Sequence, residues 1–321
     1  MTSQAFTYLV TGGAGFIGSN IVEALLRGGE NVIVLDDMST GRRQNLDAAL
    51  RACGPGARPP QIVEGDIRDA ATVRRAMSGV THVLHQAALP SVQRSVEDPM
   101  ASHSVNATGT LNLLLAAREA GVRRFVYASS SSAYGDTPEL PKVETMTPSP
   151  LSPYAVSKLA AEYYCRIFHA LYGVETVSLR YFNVFGPRQD PTSQYAAVVP
   201  NFVQAAISGH APVIYGDGLQ SRDFTYIDNA VHANLRACHA PSSAAGRAYN
   251  VACGESATLL DLLQILGRLT GSAVRPTHAP PRPGDVKHSL ASIEEARRHL
   301  GYTPEVGLEE GLRRTVEWFR K

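Results

Sequence analysis

The chain has 321 residues, 44% of them hydrophobic and 18% charged, and a formal net charge of +1. That length supports one large α/β domain or a domain and a half. The balanced charge, with Arg-Arg pairs scattered, makes nucleic acid and anionic membranes poor partners. Four cysteines without a CxxC pair give neither a zinc site nor a disulfide framework. No apolar run approaches the roughly 18 residues of a membrane span, and a strand begins almost at the N-terminus, so no signal peptide is read. A cytoplasmic protein with reduced thiols and no metal is expected.

The first apolar run, Phe6–Val10, reads as a strand. Gly12, Gly13, Gly15 and Gly18 follow, and then the amphipathic run Ile21–Leu26. Strand, glycine turn and helix in that order suit a pyrophosphate, because the turn admits close backbone approach and the helix start offers free N–H groups. Asn31–Leu35 is the second strand and Asp36 ends it, about 20 residues past the glycines, where a carboxylate would hold the adenosine ribose hydroxyls. That favours NAD over NADP. Arg42 and Arg43 lie close enough to weaken the preference.

Ser39-Thr40-Gly41 is a loop before a helix through Leu46–Leu50. Gln61–Glu64 is a short strand leading to Asp66 and Ile67, and Asp69 caps a helix over Ala70–Met77. Thr81–His85 is a fourth strand, followed by Gln86-Ala87-Ala88. A long helix is expected from Pro99 to Ala120, stopped by Gly121, then a fifth strand, Arg124–Ala128, and the run Ser129–Ser132. Short apolar strands alternating with helices specify a doubly wound parallel sheet of the Rossmann type, with ligands beyond the carboxyl ends of its strands.

Pro153 opens a helix ending at Gly173, with Leu159, Tyr163 and Ile167 as its periodic face. Val174–Leu179 is a further strand. Beyond residue 183 the texture changes to Pro- and Gly-rich loops between short elements: Val199–Ser208, Val213–Tyr215, Asp228–His239, Ala248–Val251, Leu259–Leu269 and Glu309–Lys321. Residues 1–183 read as the dinucleotide-binding domain, and 184–321 as a smaller α/β substrate domain partly interleaved with it.

Tyr154 and Lys158 stand four apart on one helix face. A free phenol has a pKa of about 10 and is a poor base at neutral pH. An ammonium and an oxidised nicotinamide beside it stabilise the phenolate and fit it for proton exchange with a hydroxyl or carbonyl. A serine hydroxyl at the end of strand five supplies a third group.

With Thr11–Gly18, Ser129–Gly135, Pro153-Tyr154 with Lys158, Leu179–Gly186, Ser221–Phe224 and Pro283–Val286 in place, the whole chain resembles an extended short-chain dehydrogenase/reductase, specifically a UDP-sugar 4-epimerase. The resemblance implies a catalytic set of Ser130, Tyr154 and Lys158. It implies bound NAD contacted by Gly12, Gly15, Phe16, Ile17 and Gly18, by Asp36, Asp37, Ser39, Thr40 and Gly41, and by Asp66, Ile67, Gln86, Ala87, Ala88, Asn106 and Tyr181 besides Tyr154 and Lys158. It implies a UDP-sugar held by Ser91, Ser130, Ser131, Ser132 and Tyr154, with Asn183, Arg222 and Arg282 on the diphosphate, Asp285 on the uridine ribose, and Val199 and Tyr215 beside the uracil.

In this reading Tyr154 takes the 4-hydroxyl proton while hydride leaves C4. The keto sugar turns over and takes the hydride back on its other face. Dehydratases of the family carry acidic residues where this chain has Ser131 and Ser132, which weakens that alternative. Ser289 falls where glucose-only members carry a bulky tyrosine, so an N-acetyl group has room. UDP-GlcNAc/UDP-GalNAc interconversion with some UDP-Glc/UDP-Gal activity is therefore expected. The rival substrate is UDP-glucuronate, its carboxylate pairing with Arg188. A non-catalytic NAD-binding regulator is the alternative from another class. Relatives commonly dimerise through the helices at about 99–120 and 153–172, so a homodimer is expected.

Overall fold

The structure is a computed structural model that describes residues 6–191, 198–271, 274–280 and 286–321. Thr7–Thr11 (β1), Asn31–Asp36 (β2), Gln61–Glu64 (β3), His82–His85 (β4), Arg124–Ser130 (β5) and Thr176–Tyr181 (β6) form one parallel sheet. A seventh strand, Arg247–Val251, joins it beside β6, giving the order 247–251, β6, β5, β4, β1, β2, β3. The later half of the chain thus supplies the seventh strand of the sheet.

The chain order runs outward in both directions from β1, and the crevice at that switch lies above the carboxyl ends of β1 and β4. Thr11 is in register with Leu35 on one side and with His85 on the other. Phe16–Arg27 (α1) follows the glycine turn and buries Ile21, Val22, Leu25 and Leu26. Each such side chain contributes about 1.5–3 kcal/mol on leaving water. Helices Arg43–Ala52 (α2) and Ala70–Ala76 (α3) follow β2 and β3; as expected, Asp69 caps α3, accepting from the N–H groups of Ala71 and Thr72.

Two expectations change. A short helix Val92–Glu97 (α4) comes first, and the helix expected from Pro99 to Ala120 starts at Pro99 as read but is interrupted: it runs as Pro99–His103 (α5), a π-helical stretch Ser104–Gly109 and Thr110–Glu119 (α6). Pro99 cannot donate a helical hydrogen bond, and the Asp98 carboxylate caps α5 at Ala101 N, so the chain restarts there. The second change concerns Pro153–Tyr172 (α7). Tyr163 and Ile167 are 46% and 47% exposed, whereas the face toward the sheet carries Ala155, Leu159, Ala161, Cys165 and Phe168. The helix has two apolar faces, and the periodic stripe read from sequence mixes them.

Candidate active site

The glycine turn packs as a dinucleotide loop requires. A Cβ on Gly12, whose φ is +67°, would lie 2.7 Å from Ala87 N, and one on Gly18 would lie 2.1 Å from the Gly12 carbonyl oxygen. Only hydrogen fits there, and the gap leaves room for a phosphate above the start of α1. Asp36 is buried; its carboxylate accepts from Ala14 N at 2.8 Å and Met38 N at 2.9 Å. Burial, opposed by those bonds, raises its pKa from the ordinary value. Arg42 pairs with Asp190 at 2.5 Å and Arg43 with Glu64 at 3.5 Å. Both cations near Asp36 therefore have acidic partners, which fits ribose hydroxyls there better than a 2′-phosphate.

These groups open onto a cavity of about 970 Å³. All the sequence-derived cofactor residues from Gly12 to Ala88, together with Tyr154 and Tyr181, line it. Asn106 and Lys158 do not. Asn106 stands behind the wall, accepting from Leu89 N at 2.8 Å and donating to Ser157 Oγ at 3.0 Å, so it ties the lining loop to α7. Lys158 is buried with Nζ 4.6 Å from the centre of the Tyr127 ring, and burial pushes its pKa down to about 7.

Tyr154 lies in the first turn of α7, which Ser152 caps by accepting from Ala155 N at 3.1 Å. The partial positive charge of that helix start favours a phenolate. Burial raises the Tyr154 pKa, and a hydrogen bond with Ser130 opposes the rise. The Ser130 oxygen already accepts from Ser132 N at 3.2 Å and from Ser132 Oγ at 2.9 Å. Its own proton is therefore left for Tyr154 or a bound oxygen. Among the chain's own groups the Ser130 hydrogen bond is what lowers the Tyr154 pKa, and burial outweighs it.

Beneath the pair lies a buried network that sequence reasoning missed. Glu162 accepts from Ser129 Oγ at 2.6 Å and from Arg180 at 3.0 and 2.6 Å. It joins β5, α7 and β6, and so fixes Ser130 relative to Tyr154. A buried Glu–Arg pair is hard to read from positions 18 apart on different elements.

A second cavity, of about 190 Å³, adjoins the first: Asn183 lines both. Four residues that the resemblance assigns to the substrate, Ser131, Ser132, Arg222 and Ser289, line it too, and so do Lys142, Ser152 and His288, which the sequence did not single out. Lys142 is held by its Nζ on the carbonyl and hydroxyl of Thr137. Ser91 caps α4, accepting from Arg94 N at 3.1 Å, between Pro90 on the larger cavity and Val92 on the smaller. Val199 is buried in the apolar core and Tyr215 is partly exposed on the strand Val213–Tyr215; neither lines these two cavities. Arg282 and Asp285 lie outside the described residues.

Arg188, the residue invoked for a glucuronate, lines the larger cavity and pairs with Glu23 of α1. Asp223, next to Arg222 in sequence, is fully buried. Among the described residues no group of His, Cys, Asp or Glu could hold a metal, and no helix is long and apolar enough to cross a membrane.

A paired Ser–Tyr on the rim of a dinucleotide-sized cavity is the arrangement of a nicotinamide-dependent enzyme, and the model of the NAD-dependent epimerase/dehydratase family matches residues 8–252. The chain belongs to that family. A UDP-glucose 4-epimerase of Mycolicibacterium smegmatis is 40% identical over 314 residues, covering 97% of this chain and 98% of the relative. The solved UDP-N-acetylglucosamine 4-epimerase of Methanobrevibacter ruminantium, in complex with UDP-N-acetylmuramic acid, superposes with a TM-score of 0.92 at 39% identity, covering 99% of both chains. The Thermus thermophilus UDP-glucose 4-epimerase in complex with NAD gives 0.87 at 41% identity, covering 98% of this chain and 99% of that one. UDP-glucuronate 4-epimerases also occur among the relatives, one from Arabidopsis thaliana at 34% over 99% of this chain and 77% of its own. The activity is that of a UDP-sugar 4-epimerase, and the cofactor is NAD.

Proposed function

We propose that the substrate pair is UDP-GlcNAc and UDP-GalNAc, with UDP-Glc and UDP-Gal also accepted. The observation that carries this reading is Ser289 on the wall of the smaller cavity, with its N–H on the Ser221 carbonyl at 3.0 Å. A short side chain there leaves space beside the sugar, and added space admits the larger substrate without excluding the smaller.

NAD, when bound, supplies the acceptor that takes hydride from C4 of the sugar and returns it. The chain's own residues do the rest. Tyr154 accepts the 4-hydroxyl proton as C4 becomes a ketone and gives it back as the alcohol reforms. Ser130 gives its single proton to that oxygen or to Tyr154, its lone pairs being held by Ser132. Lys158, one helical turn on from Tyr154 and buried behind the cavity wall, would hold the nicotinamide ribose. Asn183 and Arg222 hold the diphosphate, the guanidinium fork suiting its oxygens. Arg282 and Asp285 complete the nucleotide site in this reading. The ketone keeps its diphosphate anchor while the ring presents its other face.

Arg188 is paired through Nη2 with Glu23 on the cofactor side, which favours a bracing role there over a glucuronate contact, although its buried Nη1 has no partner among the described residues. The exposed apolar residues Val96, Met100, Leu115, Ile167 and Leu171 on α4 to α7 suit a two-fold homodimer. Free cysteines accord with a cytoplasmic setting.

Replacing Ser289 by Tyr tests the substrate reading. Conversion of UDP-GlcNAc should fall about 10- to 200-fold while UDP-Glc conversion is kept. Equal effects on both would remove Ser289 from sugar selection.

A further inference from the structure

The wall of the smaller cavity is built from segments far apart in the chain. Asn183 follows β6, Arg222 lies in the two-residue strand Ser221–Arg222, and His288 and Ser289 come from a loop of the last quarter of the chain. Short bridges link them: Ser221 N donates to the Lys287 carbonyl at 3.1 Å, Ser289 N to the Ser221 carbonyl at 3.0 Å, and Ser221 Oγ meets His288 Nδ1 at 3.0 Å. Arg222 Nη1 adds a fourth bridge, donating to the Lys287 carbonyl at 3.0 Å.

One residue ties them together. Asp223 has no solvent exposure. One carboxylate oxygen accepts from Cys253 N at 2.8 Å; the other accepts from Gly254 N at 3.0 Å and Ala291 N at 3.3 Å. Its carbonyl accepts from Asn183 Nδ2 at 3.0 Å, which holds Asn183 at a positive φ of 39°. A buried anion is costly unless hydrogen bonds compensate it, and N–H bonds to an ionised acceptor are the strong kind. Three backbone donors from two distant segments converge on a single carboxylate. That carboxylate is next in sequence to Arg222, and its donor Ala291 follows closely on Ser289.

We propose that Asp223 is a positioning residue for the nucleotide-sugar: its carboxylate fixes the spacing of Asn183, Arg222, His288 and Ser289, and so sets affinity for the UDP moiety without touching it. The inference rests on the reading of the smaller cavity as the UDP-sugar site.

The test uses the NAD-loaded enzyme. Asp223→Asn keeps the shape but puts an NH2 where an acceptor stood, so part of the N–H cluster loses its partner. The KM for UDP-sugar and the Kd for UDP should each rise about tenfold, kcat should stay within about threefold, and bound NAD should be unchanged. Unchanged KM and Kd overturn the proposal, as does parallel loss of NAD, which would make Asp223 a general structural residue. A second measurement on the unmodified enzyme needs no variant. Amide hydrogen exchange with and without UDP should show slowed exchange at residues 253–254 and 291; no change there overturns the proposal. If the unmodified enzyme fails to bind UDP, the cavity reading itself fails. If it binds UDP and Asp223→Asn binds equally well, only the role of Asp223 fails.

Discussion

The guanidinium of Arg188 closes on the carboxylate of Glu23, an α1 residue 165 positions away, with side-chain exposures of 9% and 19%. With Arg42 on Asp190 and Asn20 Nδ2 on the Pro187 carbonyl at 3.3 Å, this pair fastens residues 187–190 across the larger cavity. Arg188 is thus part of the cofactor side of the molecule. Replacing it by Gln should lower NAD affinity about tenfold. The ratio of kcat/KM between UDP-glucuronate and UDP-Glc should stay within about twofold. A selective loss of glucuronate turnover would return Arg188 to the sugar.

Tyr154 and Ser130 have separable roles. Tyr154→Phe removes the group placed to exchange the C4 hydroxyl proton, and kcat should fall about 10²–10⁴-fold with NAD still bound. Ser130→Ala leaves that group but removes its donor, and the loss should be smaller. A pre-steady-state hydride-transfer assay checks both. Turnover surviving the loss of the phenol would mean that another group takes the proton.

Glu162 and Arg180 explain why the serine run was only half legible in sequence. The glycine turn, Asp36 and Tyr154 with Lys158 are local patterns, and their spacing carries their meaning. The partners that set their geometry are not local: Ser129 meets Glu162 33 positions on, and Asp223 meets Ala291 68 positions on. The same limit applies to Arg188, whose Glu23 partner 165 positions away no motif announces. The helix start at Pro99 was legible from the proline itself, whereas the π-helical stretch Ser104–Gly109 carries no local signal of that kind.

Acid should destabilise the protein through His82. It is buried, stacks on Tyr8 at 4.9 Å, and burial, with the nearby charges of His239, Arg123 and Arg124, pushes its pKa down to about 4. Between about pH 6.5 and 4 the unfolded chain binds a proton that the folded one does not. Stability is therefore lost as pH falls through that window and levels off below it. Allowing for water near the ring, the loss is about 1–2 kcal/mol. His82→Phe should flatten the pH dependence of urea unfolding across that window; an unchanged slope would assign the effect elsewhere.

Dimer formation should depend on the outer face of α5 and α7. Met100 and Leu171 are 72% and 68% exposed there. Met100→Glu with Leu171→Glu should convert a dimer to a monomer in sedimentation velocity, since buried charges are costly at an apolar contact. A monomer before substitution, or a dimer after it, contradicts the interface.

The decisive experiment incubates purified protein, without added cofactor, separately with UDP-GlcNAc, UDP-Glc and UDP-glucuronate and resolves the epimers by proton NMR. UDP-GalNAc should form from the first and UDP-Gal from the second. Conversion of UDP-Glc alone would keep the chemistry of Ser130 and Tyr154 and contradict the room assigned beside Ser289; conversion of UDP-glucuronate alone would contradict the substrate reading outright.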